Sequence, residues 1–232
     1  KVKKKRNFDL IEIEGQHNFK AFDYHIPSDI SSGSFFIVLT LLAKNSQLLL
    51  KNINVNNSRT GIIDILKKMN SKITLKNKRI YKGEKIADIF VKSSSSFKAI
   101  NCPTNINSRA IDEFLIIFLI AAKAKGISYF KDLSELNKKE SPRLKIAAKF
   151  LKMIGIKVEE TNHSIKIYGN PKLELNGKYE IKNFLKDHRV FMMSCIAALT
   201  LGGTWKIHDK DSIKTSFPSF IKTLKKIGAI IN

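Results

Sequence analysis

The sequence has few cysteines, few arginines and no long apolar run. Its two cysteines, Cys102 and Cys195, stand far apart and lack the spacing of a zinc site. They argue against a disulfide framework and indicate a reducing compartment. The longest uninterrupted apolar run, residues 114–122, is much shorter than the roughly 20 residues that span a bilayer. We therefore expect a cytoplasmic protein that does not associate with membranes.

The basic excess is made almost entirely of lysine. The formal net charge is +22, yet only 6 of the 42 basic residues are Arg, and the basic residues are spread along the whole chain. Side chains that grip bases or phosphates in a bidentate manner are usually Arg. A basic nucleic-acid-binding module is therefore the weaker alternative. The general positive charge would favour a small, highly anionic substrate.

One pattern occurs three times along the chain. An apolar helix-like run leads through a short strand-like run into an amphipathic stretch that contains Leu-Lys-x-(Met/Ile), at Leu66, Leu151 and Leu224. Such self-similarity predicts repeated supersecondary units that share one core. Each unit is predicted to be strand, helix, strand, helix and trailing strands. Layered α and β packing with apolar helices inside follows.

Periodicity and turn residues predict the individual elements. Strands are predicted at 8–14 and 19–26 around a turn at 15–18, and further strands at 48–53, 86–91, 127–130, 157–159, 164–168 and 204–208. Helices are predicted at 35–43, 62–69, 108–123, 142–154 and from 186 to 201, with a last helix after Pro218. The hydroxyls of residues 31–34 are predicted to cap the first helix.

Three of the predicted helix starts are polar and stand at equivalent places. They read Ser-Ser-Gly-Ser at 31–34, Arg-Ala-Ile-Asp-Glu at 109–113 and Lys-Asp-His-Arg at 186–189. A helix N-terminus offers free backbone N–H groups and a partial positive charge. Several such ends on one side would form an anion-receptive face, for which phosphate is the natural ligand.

The candidate reactive residues each have a plain structural interpretation as well. Asp112 alone is more often a helix cap than a base that takes a proton from a hydroxyl. Glu140 is by default part of a solvated charge cluster, but it could be an acid held between Lys139 and Arg143. His188 is as readily structural as catalytic, although its place at the third helix start favours a function.

Six motifs, in this order and approximate spacing, resemble 5-enolpyruvylshikimate-3-phosphate (EPSP) synthase, in detail its glyphosate-tolerant bacterial class. They are Ser-Asp-Ile-Ser-Ser at 28–32, Asn-Val-Asn-Asn-Ser-Arg-Thr-Gly at 54–61, Ile-Asp-Glu-Phe at 111–114, Glu-Leu-Asn-Lys-Lys-Glu-Ser-Pro-Arg at 135–143, Asp-His-Arg at 187–189 and Thr-Ser-Phe-Pro at 215–218. The resemblance runs from about residue 28 to the C-terminus.

The resemblance implies an α/β (α+β) fold in which three repeated βαβαββ units surround buried helices. It covers the C-terminal half of the family only, because the phosphate-binding segments of the family's N-terminal half are absent. Residues 1–28 would be the end of the N-terminal domain and the crossover strand, and 29–232 the C-terminal enolpyruvyl-transferase domain. The expected partner is the N-terminal half of the same enzyme. The complete enzyme would be a monomer, and this half alone would be inactive.

The resemblance also implies a reaction and its residues. The enolpyruvyl group of phosphoenolpyruvate would pass to the 5-hydroxyl of shikimate-3-phosphate, with release of phosphate. Asp112 would take the hydroxyl proton and Glu140 would protonate the methylene carbon. The implied substrate-binding residues are Lys139, Arg143, Arg189 and His188, of which His188 supports its neighbours rather than reacting. Neither a metal nor an organic cofactor is implied.

The sequence departs from the family pattern in the charged loop and near the C-terminus. Pro142 stands where the family usually has Asp, and Asn137 and Lys138 replace a usual Arg-Val pair. Lys214 is displaced from the position of a phosphoenolpyruvate-binding lysine, so no role is assigned to it. A related alternative is UDP-N-acetylglucosamine enolpyruvyl transferase, but that family differs at the triplet that ends in Arg189.

Overall fold

The structure is a computed structural model that describes residues 2–6, 8–15, 18 and 20–231. Its helices are α1 (Ile30–Leu42), α2 (Gly61–Lys68), α3 (Asn107–Ala110), α4 (Phe114–Lys123), α5 (Arg143–Met153), α6 (His188–Leu201) and α7 (Phe220–Lys226). Its strands are β1 (Val2–Lys4), β2 (Asp9–Ile11), β3 (Gln47–Asn54), β4 (Lys72–Tyr81), β5 (Glu84–Lys92), β6 (Phe97–Lys98), β7 (Ala124–Phe130), β8 (Val158–Glu160), β9 (Ile165–Gly169), β10 (Leu175–Ile181) and β11 (Gly202–Ile207).

Three apolar helices form the centre of the molecule. Helices α1, α4 and α6 contact one another, and residues 114–122 of α4 are all buried. A helix that is apolar on every side needs such an interior position. The aromatic ring of Phe220 on α7 lies 6.1 Å from that of Phe35 and 5.8 Å from that of Phe36, both on α1. The prediction that apolar helices lie inside is confirmed.

Strands cover these helices in several small sheets. The order β3-β5-β4 is antiparallel throughout, whereas in β6-β7-β9-β8 only β6 and β7 are parallel. A parallel pair joins β10 to β11, and an antiparallel pair joins β1 to β2. Helices α1, α4 and α6 contact β3, β9 and β11 respectively. The mixed α and β class is therefore confirmed.

The repeated motif adopts one conformation at all three places. Leu66, Leu151 and Leu224 lie near the ends of α2, α5 and α7, and each side chain is buried. From β6 to β9 the order is strand, two successive helices (α3 and α4), strand, helix, strand, strand. The division of the chain into three repeated βαβαββ units stays a prediction, as does the domain boundary at residue 28.

One prediction near the N-terminus, the strand at 19–26, is wrong. Residues 20–26 form no strand, and β2 pairs with β1 instead. The alternation of apolar and polar residues is not enough to make a strand when no partner strand lies beside it. The predicted turn at 15–18 and the start of the predicted strand at 19 include residues 16, 17 and 19, which lie outside the described residues.

Two helix starts also differ from their prediction. Helix α1 begins earlier, with Asp29 as its N-cap: the Asp29 carboxylate accepts a hydrogen bond of 2.8 Å from the backbone N–H of Ser32. The predicted helix at 108–123 is broken, since α3 ends at Ala110 and α4 begins at Phe114. The break places Asp112 in a turn. Strands β1, β4, β6 and β10 were not predicted.

Both cysteines are free and buried, in line with the prediction that they form no disulfide. Burial raises the pKa of the Cys195 thiol to about 12. In the part of the chain that the structure describes, no helix is both long and apolar enough to cross a bilayer.

Candidate active site

The N-terminal ends of the three central helices meet at one side of the molecule. Arg189, near the start of α6, donates a hydrogen bond of 3.0 Å through Nη1 to the backbone carbonyl of Asp112, just before α4. Burial raises the pKa of Glu113, the N-cap residue of α4, and a hydrogen bond with Ser31 of α1 acts in the opposite direction. The structure thus brings together the three helix starts that the sequence singled out.

A buried group of polar side chains lies beneath this junction. We call Asp187, Arg143 and Ser141 the buried anchor. The Asp187 carboxylate accepts hydrogen bonds of 2.8 Å from Arg143 Nε and from Ser141 Oγ. It also caps α6, because it accepts a hydrogen bond of 2.9 Å from the backbone N–H of Arg189. Burial raises the pKa of Asp187, but these hydrogen bonds and the Arg143 charge outweigh burial and hold it below 3.8.

The residues above the anchor form a second, more accessible group. We call Asp112, Lys139, Glu140, His188 and Arg189 the open face. One carboxylate oxygen of Asp112 lies 3.4 Å from Arg143 Nη1 and 3.7 Å from Lys139 Nζ. Its other oxygen lies 3.6 Å from Arg189 Nη2. Three cations from two distant segments therefore surround one carboxylate whose side chain is 33% exposed.

Glu140 contacts a different nitrogen of Arg143 from the one that faces Asp112. Its Oε2 is 2.8 Å from His188 Nδ1 and 3.6 Å from Arg143 Nη2, and its side chain is 51% exposed. Lys139 also makes an ion pair of 3.0 Å with Glu135. All six residues that the sequence proposed for the site are thus brought together, and the Arg143 guanidinium links the anchor to both carboxylates of the open face.

One donor set could be mistaken for a metal site. Single ligand atoms of Glu140, Asp187 and His188 lie within 4.8 Å of one another. The Arg143 guanidinium already contacts both carboxylates, and Asp187 is fully engaged by Arg143, Ser141 and a backbone N–H. A guanidinium in this position supplies the charge that a metal would bring, and the set does not fit a metal. That the chemistry needs no metal stays a prediction.

The departures from the family pattern have simple local outcomes. Pro142 occupies the N-cap position of α5, and its carbonyl accepts a hydrogen bond of 3.0 Å from the backbone N–H of Ile146. Proline is tolerated there because that position needs no intrahelical donor, so Arg143 still reaches Asp187. Lys214 makes an exposed ion pair of 2.8 Å with Asp211.

Sequence reasoning did not propose Asp187 or Glu113 as site residues. Asp187 is followed, after two residues, by an apolar helical run, which is a signal of an N-cap residue, but nothing local shows that its carboxylate is buried against Arg143. Glu113 follows Asp112 in a charged turn, and its burial has no local signal. Both depend on contacts between distant segments.

Comparisons with known proteins agree with the geometry. The family model described as EPSP synthase (3-phosphoshikimate 1-carboxyvinyltransferase) matches residues 1–224. The chain is 38% identical to the 3-phosphoshikimate 1-carboxyvinyltransferase of Ruthia magnifica over 97% of its length, and 37% identical to that of Bacillus pumilus over 97%. Each alignment covers 51% of the relative. The chain therefore spans about half the length of these curated relatives.

A solved structure shows the same likeness in three dimensions. The EPSP synthase of Acinetobacter baumannii superimposes with a TM-score of 0.85 and 33% sequence identity. The superposition covers 100% of this chain and 53% of that one. These findings do not favour a UDP-N-acetylglucosamine enolpyruvyl transferase or a nucleic-acid-binding module.

Proposed function

The chain belongs to the EPSP synthase family, and from this membership we propose that it is one half of a 3-phosphoshikimate 1-carboxyvinyltransferase. The proposed reaction transfers the enolpyruvyl group of phosphoenolpyruvate to the 5-hydroxyl of shikimate-3-phosphate and releases phosphate, a step of aromatic amino-acid biosynthesis. The observation that carries the proposal is the Asp112 carboxylate, surrounded by Lys139, Arg143 and Arg189 at 3.4–3.7 Å.

The two carboxylates of the open face have separate proposed tasks. Glu140 gives a proton to the methylene carbon of phosphoenolpyruvate, which leaves a cationic carbon beside the phosphate ester. The 5-hydroxyl oxygen bonds to that carbon while Asp112 takes the hydroxyl proton. The Glu140 carboxylate, which has given up its proton, then takes one back from the new methyl group as the carbon–oxygen bond to phosphate breaks, and the enol ether remains. His188, at 2.8 Å from Glu140, orients the acid.

Two cations of the open face and Arg143 of the anchor bind the two anionic substrates in this proposal. Lys139 lies beside Asp112 and would contact the 5-oxygen, while Arg143 and Arg189 would hold the phosphoenolpyruvate anion. A guanidinium can grip a carboxylate or phosphate through two parallel hydrogen bonds. Cations held in place before the reaction also stabilise charge that develops in the transition state. No organic cofactor takes part.

The proposed partner is the N-terminal half of the same enzyme. The first residues of the chain support it, because the apolar side chains of Phe8, Ile13, Phe22 and Ile26 are largely exposed and would need a covering surface. One half of a cleft cannot enclose two anions and exclude water. We therefore propose that the chain alone is inactive and that the complete enzyme is a cytoplasmic monomer.

A phosphate-release assay tests the proposal. The N-terminal half of the Bacillus pumilus relative is supplied with this chain, either mixed or fused, together with shikimate-3-phosphate and phosphoenolpyruvate. Release that needs both halves and both substrates is expected. If a fusion that circular dichroism and cooperative melting show to be folded released no phosphate, the proposal would be contradicted. Turnover by this chain alone would contradict it as well.

A further inference from the structure

Glu113 is a buried acid that the proposed chemistry does not use. The residue is 4% exposed, and its Oε1 has no hydrogen-bond partner among the described residues. An unpaired buried polar atom is costly, so its retention calls for an explanation. Burial raises the pKa of Glu113, while Ser31, Arg189 and Arg59 act in the opposite direction.

The carboxylate faces the guanidinium of Arg189. Oε1 of Glu113 lies 3.9 Å from Arg189 Nη1, which is close enough for an ion pair but too long for a hydrogen bond. The same Nη1 donates to the backbone carbonyl of Asp112, and Nη2 lies 3.6 Å from the Asp112 carboxylate. Arg189 therefore stands between two adjacent carboxylates, one buried and one accessible.

We infer that Glu113 is a positioning residue for Arg189. Its fixed negative charge draws the guanidinium towards the start of α4 and keeps it from closing onto Asp112 as a bidentate ion pair. Arg189 then stays available for the phosphoenolpyruvate anion, and the Asp112 carboxylate stays available for a proton. This inference rests on the proposed function, and it assigns to Glu113 a role through Arg189 rather than a contact with substrate.

The test replaces Glu113 in the fusion with the N-terminal half. Glu113→Gln keeps the shape and removes the charge, while Glu113→Asp keeps the charge and withdraws it by one methylene. The matched control is Glu174→Gln, since Glu174 is 79% exposed and only 3.9 Å from an exposed Lys44. For Glu113→Gln we expect the KM for phosphoenolpyruvate to rise about tenfold, the effect of losing one charged contact.

Three further readings separate positioning from a structural role. The KM for shikimate-3-phosphate should stay within about twofold, the melting temperature should not fall, and Glu113→Asp should recover part of the loss. An unchanged KM for phosphoenolpyruvate in an active fusion would overturn the inference. A fall in melting temperature with an equal loss for both substrates would overturn it as well.

A second measurement does not depend on turnover. The side-chain guanidinium NMR signals of Arg189, identified by their loss in Arg189→Lys, are compared in the substrate-free protein. Glu113→Gln should shift them and Glu174→Gln should not. An inactive wild-type fusion would contradict the proposed function, whereas unmoved Arg189 signals in Glu113→Gln would overturn the role of Glu113 alone.

Discussion

The buried anchor and the open face are built from the same kinds of residue, yet they differ in how firmly their charges are paired. In the anchor, Asp187 and Arg143 are 0% and 3% exposed, and their closest contact is 2.8 Å. In the open face, Asp112 is 33% exposed and its three cations stand at 3.4–3.7 Å. The charges of the anchor are fully paired within the protein, whereas the cations around Asp112 can also contact substrate anions.

Arg143 belongs to the anchor but also contacts both carboxylates of the open face, which explains how the two regions work together. Its Nε and Nη2 donate to the Asp187 carboxylate at 2.8 and 3.3 Å, while Nη1 lies 3.4 Å from Asp112 and Nη2 also lies 3.6 Å from Glu140. A guanidinium fixed at one edge loses little further freedom when an anion binds at the other. The comparison therefore predicts that anchor substitutions lower stability and that open-face substitutions lower activity.

The largest expected effect is that of Asp112→Asn on turnover. The amide cannot take a proton from the 5-hydroxyl, so kcat of the fusion should fall by up to about ten-thousandfold. The contacts of Asp112 are long and half-solvated, so the urea midpoint should stay close to that of the wild type. Near-normal turnover would remove Asp112 from the mechanism, and a collapse of stability would break the contrast between the two regions.

Asp187→Ala should have the next largest effect, on stability. Removing one partner of a buried ion pair leaves the Arg143 charge uncompensated, which costs about 3–5 kcal/mol of unfolding free energy. Urea denaturation measures this loss. The matched control is Asp211→Ala, whose ion pair with Lys214 is exposed and whose urea midpoint should not move. Equal effects of the two substitutions would show that the anchor is no stronger than a surface pair.

The pH dependence of stability should differ in sign between two buried acids. Because the pKa of Asp187 lies below its ordinary 3.8, its contribution is present above that pH and is lost as the pH falls through the folded-state value. The pKa of Glu113 is raised above 4.5, so stability is lost as the pH rises through its folded-state value.

Unfolding free energies of Asp187→Asn and Glu113→Gln, relative to wild type and measured from about pH 3 to about pH 8, check both signs. The unfolding free energy that Asp187→Asn loses relative to the wild type should become smaller towards the acid end of the range. The unfolding free energy of Glu113→Gln should rise relative to that of the wild type towards the alkaline end of the range. If the unfolding free energies of both variants, relative to the wild type, changed in the same direction with pH, the opposite pKa shifts of Asp187 and Glu113 would be refuted.

The smallest expected effect is that of Pro142→Asp, which restores the residue usual in the family. An aspartate at the N-cap position of α5 can accept from a free backbone N–H, a gain of about 1 kcal/mol at most. Arg143 keeps its contact with Asp187, so kcat of the fusion should change by less than about threefold. A larger change in turnover would mean that the loop, and not the anchor, sets the position of Arg143.

The sequence was sufficient for features that local patterns determine. The helices at α2, α5 and α6 were predicted to within a few residues because their apolar spacing and their ends are local signals. Strand β10 was missed because Gly177 interrupts its pattern, and β4 because its outer half is largely lysine, asparagine and arginine. The strand wrongly predicted at 19–26 is the opposite case: residues 20–26 have the strand pattern but pair with no strand among the described residues.

The candidate site was predictable only in part. The resemblance placed the six proposed residues, and the structure gathers them. The pairing of Arg143 with Asp187 and the burial of Glu113 beside Arg189 join segments far apart in the chain, so no local pattern could reveal them. Capping geometry also changed, since Asp29 rather than a serine caps α1.

The most direct test of the central claim is a titration of this chain with the separate N-terminal half of the Bacillus pumilus relative, followed by phosphate release from phosphoenolpyruvate and shikimate-3-phosphate. The account predicts no release from either half alone, activity that saturates near equimolar halves, and none when this chain carries Asp112→Asn. Undiminished release with Asp112→Asn, or no release when the two folded halves are shown to be associated, would contradict it.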